Sequence, residues 1–200
     1  MNLQHWNNYY SENSKPFQES DFATFVLKQL TKNSTIIDIG CGNGRDSVFF
    51  AKNKIKTLGI DPSSVAINNL KSYESSYLEF QNTTVEKLNK NKKFDYGYAR
   101  FLLHSLSLSE EVKFFKKVKL TVRKEIFIEN RIYNSETHNQ KQLHHRRLES
   151  PDTLIKKISS YGFEILHSEI SNQFSVYNSN YKVADLNSDP YLIRLIIRSE

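Results

Sequence analysis

The stretch Ile36-Ile37-Asp38-Ile39-Gly40-Cys41-Gly42-Asn43-Gly44-Arg45-Asp46 runs from a β-branched segment into three glycines spaced two apart. A helical pattern with Val48, Phe49, Phe50 and Ala51 follows it. A β-branched run of this kind, begun by Thr35, predicts a short buried strand. Glycines at 40, 42 and 44 let the backbone turn tightly after that strand and approach a ligand closely. The helix behind them aims its first amides at the same place. This order of elements predicts a ligand at the carboxyl end of a parallel strand.

On either side of this stretch the hydrophobic period alternates between strand and helix. Ser20 is a cap for a helix from Asp21 to about Leu30, with Phe22, Phe25, Val26 and Leu30 on one face. Lys56 to Ile60 reads as a strand ending at Asp61. Pro62 with Ser63 or Ser64 opens a helix carrying Val65, Ile67 and Leu70. Further strands are expected at Tyr77–Phe80, Phe94–Ala99 and Glu125–Glu129. A helix from Glu110 to about Leu120 should point Val112, Phe115 and Val118 inward, and Ser150-Pro151-Asp152 begins another that Gly162 ends. Phe163 to about Ile170 and Tyr191 to Ile197 have no helical pattern between them, which predicts antiparallel pairing on one edge. The expected fold is α/β: a mostly parallel sheet with helices on both faces and an antiparallel C-terminal hairpin.

Composition bounds the function. The chain has 200 residues, 38% hydrophobic and 25% charged, with one cysteine, a formal net charge of +6 and a pI near 9.2. That suits one domain, residues 1–200, with an N-terminal segment (1–34), a core (35–200) and an insert at about 130–150. A lone Cys41 excludes an intramolecular disulfide framework and a multi-cysteine zinc site. No run approaches the ~18 apolar residues of a membrane span, and residues 1–10 lack the pattern of a signal peptide. A cytoplasmic location is expected. The basic balance raises nucleic acid as a partner, but the lysines are scattered and read as solvated surface.

Asp61 follows Gly40 by 21 positions, at the end of the second strand, where a carboxylate accepts hydrogen bonds from ribose hydroxyls. A dinucleotide fingerprint would put a glycine where Arg45 stands. Asp38 and Asp46 beside the turn would repel a pyrophosphate, yet suit the ammonium and sulfonium of S-adenosylmethionine. With these acids around the glycine turn, the chain resembles the class I S-adenosylmethionine-dependent methyltransferases, most firmly over residues 35–130. The resemblance implies their Rossmann-like fold and S-adenosyl-L-methionine as methyl donor, with S-adenosyl-L-homocysteine as product. It implies that Asp38, Gly40, Cys41, Gly42, Gly44 and Asp46 line the donor loop. Asp61 would hold the ribose with Pro62 and Ser63 beside the adenine, and Thr84, Val85 and Glu86 would face the adenine edge, Thr84 or Glu86 taking its amine.

Acceptor residues are expected at the ends of the fourth and fifth strands. Arg100 can clamp a carboxylate of the donor or of an acceptor, and His104 can take a proton near neutral pH. The alternative for His104 is a structural role. Glu129, Asn130 and Arg131 precede His144-His145-Arg146-Arg147, which is either a solvated basic loop or part of an acceptor pocket. In the second case His145 is a further candidate for proton transfer, and His144, Arg146 and Arg147 bind an anionic acceptor. The adjacent histidines do not share a face, so no metal is expected. Trp6, Tyr9 and Tyr10 either pack on the sheet or form a lid, with Tyr10 at the donor and Tyr9 at the acceptor.

No Asn-Pro-Pro-Tyr or Asp-Pro-Pro-Tyr follows the fourth strand, which lowers DNA-base methylation. The segments Trp6-x-x-Tyr9-Tyr10, Gly44-Arg45-Asp46-Ser47, Arg100-Phe101-Leu102-Leu103-His104, His145-Arg146-Arg147 and Asp189-Pro190-Tyr191-Leu192-Ile193-Arg194 are similar to small bacterial methyltransferases of surface-polysaccharide biosynthesis, including those proposed to make O-methyl phosphoramidate groups. That similarity implies a small-molecule or glycan-precursor acceptor. An RNA methyltransferase and a non-catalytic, donor-binding partner subunit are the alternatives. The sequence does not indicate an oligomeric state.

Overall fold

Seven strands form one sheet in the order β3-β2-β1-β4-β5-β7-β6. They are β1 (Thr35–Ile39), β2 (Lys56–Asp61), β3 (Leu78–Asn82), β4 (Tyr96–Arg100), β5 (Glu125–Arg131), β6 (Phe163–Ser171) and β7 (Leu192–Ser199). The structure is a computed structural model that describes residues 2–16, 18–89, 91–133, 147–171, 174 and 191–200. The first five strands pair in parallel. β7 then enters antiparallel between β5 and β6, so the expected C-terminal pair is present with β6 outermost.

Period-2 alternation sends neighbouring side chains to opposite faces. Ile37, Ala99, Ile126 and Ile128 pack with Phe114, Phe115 and Val118 of α5 (Leu108–Thr121) and Leu154 and Ile158 of α6 (Pro151–Ser160). Ile36, Tyr98 and Phe127 pack on the other face with Phe22 and Val26 of α2 (Asp21–Leu27) and Phe50 of α3 (Arg45–Lys52). A smaller cluster seats Ile67 and Leu70 of α4 (Ser64–Leu70) against Cys41, Leu78 and Phe80. Local caps set several helix starts: Ser20, Ser63, Ser107 and Ser150 each accept an amide hydrogen bond from the first turn.

Two sequence expectations change. α2 ends at Leu27, short of Leu30. Val112 is 44% exposed, whereas its neighbour Glu111 is 0% exposed. Glu111 can turn inward because Arg147, Lys157 and the Tyr161 hydroxyl engage its carboxylate. The aromatic N-terminal segment forms α1 (Leu3–Glu12), which lies on α4. Asn69 Nδ2 donates to the Tyr10 carbonyl at 3.2 Å, and the Ser63 hydroxyl donates to Asn7 Oδ1 at 2.7 Å. Among the described residues no helix is long and apolar enough to cross a membrane.

Candidate functional site

The glycine turn leaves β1 with Gly40, Gly42 and Gly44 at φ of +77°, +54° and +73°. Such angles suit glycine, and space requires it as well. A Cβ on Gly44 would lie 2.8 Å from Leu70, and one on Gly42 would lie 2.3 Å from the Tyr10 hydroxyl oxygen. Tyr10 therefore sits directly over the turn. The loop is tied to β2 by Gly40 and Cys41 amides on the Ile60 carbonyl, at 2.8 and 3.0 Å.

Two buried acids face this turn. Asp61 is 6% exposed and accepts from the Gly42 amide at 3.1 Å and the Ser63 amide at 2.8 Å. Burial raises its pKa above the ordinary carboxylate value, and the two amide bonds act against that rise. Asp38 is 3% exposed and accepts from the Ser47 hydroxyl at 2.6 Å. Its pKa is pushed up to about 7, chiefly by burial and further by Asp46 and Asp61, with the Ser47 bond and Arg45 opposing. Among the described residues neither acid has a salt-bridge partner. Two buried carboxylates beside a glycine turn fit a ligand with a cationic head and hydroxyls, as S-adenosylmethionine has. Burial also raises the Tyr10 phenol, with Asp61 adding to it, and the Cys41 thiol, which keeps Cys41 protonated.

Other residues expected at the donor lie nearby in different settings. Pro62 and Ser63 follow Asp61, and Thr84 precedes the short 3-10 turn Val85–Lys87. Val85 is in the core, while Glu86 is exposed and lies 3.7 Å from Lys113. Asp46 differs from the expectation. Its carboxylate accepts from the Ser20 amide (2.8 Å), the Ser20 hydroxyl (2.9 Å) and the Tyr98 hydroxyl (2.7 Å). It joins α2, α3 and β4, which is a structural task.

The ends of β4, β5 and β7 are basic. Glu129, 1% exposed, takes the Arg100 Nε on one oxygen and the Arg194 Nε on the other, each at 2.7 Å. The Arg194 guanidinium also lies over Phe22, Phe25 and Phe174. His104 is buried in the turn Leu103–Ser105. Asn130 Oδ1 receives the His104 backbone amide at 3.2 Å and faces its Nδ1 at 3.0 Å, while Asn130 Nδ2 donates to the Arg131 carbonyl. That amide orientation assigns the proton to Nδ1 and leaves Nε2 as the basic nitrogen. Arg147 ion-pairs with Glu111 and Glu149, and its amide donates to the His104 carbonyl at 2.8 Å. Arg147 therefore braces the turn that carries His104. His144, His145 and Arg146 lie outside the described residues, and Tyr9 lies in α1 packed edge-on to Tyr10.

Sequence reasoning missed Glu129, Arg194 and Asn130 as members of one cluster. The signal was Glu129-Asn130-Arg131 at a strand end, but its partners are 29 and 65 positions away.

Comparison with known proteins bears on the domain and its fold. The family model for a methyltransferase domain matches residues 36–125. None of the curated proteins compared with the chain matches it. Among solved structures it is similar to the cyclase SpnF, at 15% identity over 98% of this chain and 93% of that one, with a TM-score of 0.75. It is also similar to the 1,6-didemethyltoxoflavin-N1-methyltransferase of Burkholderia thailandensis with bound S-adenosylhomocysteine (14% identity, 90% and 77% covered, TM-score 0.68). A third is the magnesium protoporphyrin IX methyltransferase of Synechocystis with bound S-adenosylhomocysteine (15% identity, 89% and 80% covered, TM-score 0.66). Such likenesses establish the fold, and a cyclase among them shows that the fold alone does not name a reaction. Residues 36–125 match the methyltransferase-domain model, and the chain has the class I methyltransferase fold.

Proposed function

We propose that this chain moves a methyl group to an oxygen of a small anionic acceptor, held at the ends of β4 and β5. The observation that carries this reading is the division of charge along one edge of the sheet. Asp38 and Asp61, buried and without a salt-bridge partner among the described residues, stand at β1 and β2, and Arg100, Arg131 and Arg194 stand at β4, β5 and β7. When bound, S-adenosylmethionine supplies a methyl group on a cationic sulfur. Asp38 and Asp61 bind and orient the donor, and Tyr10 on α1 closes over it as a lid that excludes water. The arginines orient the acceptor's carboxylate or phosphate. His104 takes the acceptor's hydroxyl proton on Nε2, with Asn130 holding the ring. Because the sulfonium is already activated, orientation supplies most of the rate and the base a smaller part.

A polysaccharide precursor is the acceptor class that the sequence resemblance favours, and that resemblance is its only support. The test is transfer of labelled methyl from S-adenosylmethionine across phosphorylated sugars, carboxylated sugars, their neutral counterparts and RNA. Transfer to anionic sugars and not to neutral ones is expected; transfer to RNA or to neutral sugars alone overturns the reading. His104→Ala should lower turnover about 100-fold, the low end for a general base, and leave S-adenosylhomocysteine affinity within twofold. Unchanged turnover removes His104 from the chemistry.

A further inference from the structure

Phe101, the first residue after β4, has a φ of +55°. A bulky side chain in the left-handed region is a real backbone outlier, and such outliers persist where the surroundings hold them for a purpose. The other non-glycine residues with positive φ among the described residues, Asn33 and Lys54, lie in turns at the surface. Glycine would meet the backbone demand at 101, as it does at 40, 42 and 44, so the aromatic ring itself must be what is wanted.

Ala99, Leu102 and Leu103 around it are core residues, whereas Phe101 is half-buried and outside the core clusters. It instead meets two cations: the Arg100 guanidinium carbon lies 4.0 Å from its centroid and that of Arg131 lies 5.0 Å away. The His104 ring is 6.1 Å off. The backbone is pinned from β5, since the Phe101 amide donates to the Glu129 carbonyl at 2.8 Å. Next along the chain, Leu102 comes within 3.1 Å of where a Cβ on Gly40 would be. Phe101 thus stands at the seam between the donor turn on β1 and the basic ends of β4 and β5.

We propose that Phe101 is a positioning residue that holds the Arg100 and Arg131 guanidiniums together as a subsite for the carboxylate or phosphate of the acceptor. Two like charges share one ring because its negative face attracts both. The planar fork of each is then set to grip an anion. This rests on the acceptor reading above and adds the residue that shapes the site.

The test uses the full chain at low ionic strength with inorganic phosphate as probe and sodium chloride as the ionic-strength control, read by calorimetry. Phe101→Gly suits the backbone angle and removes the ring. It should weaken phosphate binding at least fivefold, and Phe101→Tyr should restore it to within twofold. Arg131→Gln should weaken it likewise. S-adenosylhomocysteine affinity should stay within twofold throughout. With an identified acceptor, Phe101→Gly should raise KM about fivefold, and Phe101→Tyr should keep both KM and kcat within twofold of the parent. Phosphate binding unchanged in Phe101→Gly, no rescue by Phe101→Tyr, or no phosphate binding to the parent chain beyond the salt control each overturns the subsite. A parent chain that fails to bind S-adenosylhomocysteine overturns the donor reading instead, so the two failures are distinct.

Discussion

The two halves of the strand-end edge treat buried acids in opposite ways. At β1 and β2, Asp38 and Asp61 are buried with hydroxyl and amide donors and, among the described residues, no salt-bridge partner, and burial lifts both pKa values. At β5, Glu129 is buried between two guanidiniums. The first arrangement is unfavourable to the empty protein and improves when a cation arrives. In the second the acid already has its counter-charges. A buried acid therefore marks a binding site when its partner is missing and a structural joint when its partner is present.

Removing each acid should separate the two roles. Glu129→Ala removes the carboxylate that the Arg100 and Arg194 guanidiniums share. The expected loss is about 3–5 kcal/mol of stability, a fall in Tm of roughly 10 °C for a chain of this size, measured by thermal melting without ligand. A melt within a degree of the parent would break the contrast. Asp61→Ala should act on binding. It removes a charged acceptor for the donor's hydroxyls and releases the Gly42 amide that shapes the turn. S-adenosylhomocysteine affinity should fall about 100-fold in a calorimetric titration. Phosphate binding at the basic half should not change. A loss of phosphate binding of similar size would show that the halves are one unit.

The glycine turn and the acids that face it were legible in the sequence because they are close along the chain. The glycines, Asp38 and the cap at Ser63 are local devices, and Asp61 needed only the next strand. The basic half was not, since its geometry depends on pairs far apart in sequence. Asp46 shows the same limit from the other direction. Its charge beside the turn suggested the donor, yet its partners Ser20 and Tyr98, 26 and 52 positions away, assign it to holding α2 and β4. Likewise Val112 reads inward by type, but Glu111 takes that place because Arg147 and Lys157 come from elsewhere to meet it. Composition shows which residues dislike water; it does not show which charges will find company.

The smallest effect concerns pH, and its sign follows from Asp38. With the folded pKa near 7 and an unfolded value near 3.9, the folded chain holds a proton that the unfolded chain has lost between about pH 4 and 7. Stability from this group is full below about pH 4 and lost as pH rises through 7. Asp38→Asn should therefore raise Tm at pH 8 and matter little at pH 4. Donor binding runs the other way. A cationic head favours the carboxylate, so affinity should increase as pH rises from 6 to 8, by up to about tenfold, and the binding heat should vary with buffer as a proton is released. The donor's own amino group titrates in Asp38→Asn as well, so that variant isolates the contribution of Asp38. A parent chain whose pH profile matches that of Asp38→Asn would mean that Asp38 is already charged before the donor arrives. The donor half would then be built like the Glu129 joint, with a counter-cation of its own, and the contrast between the two halves would fail.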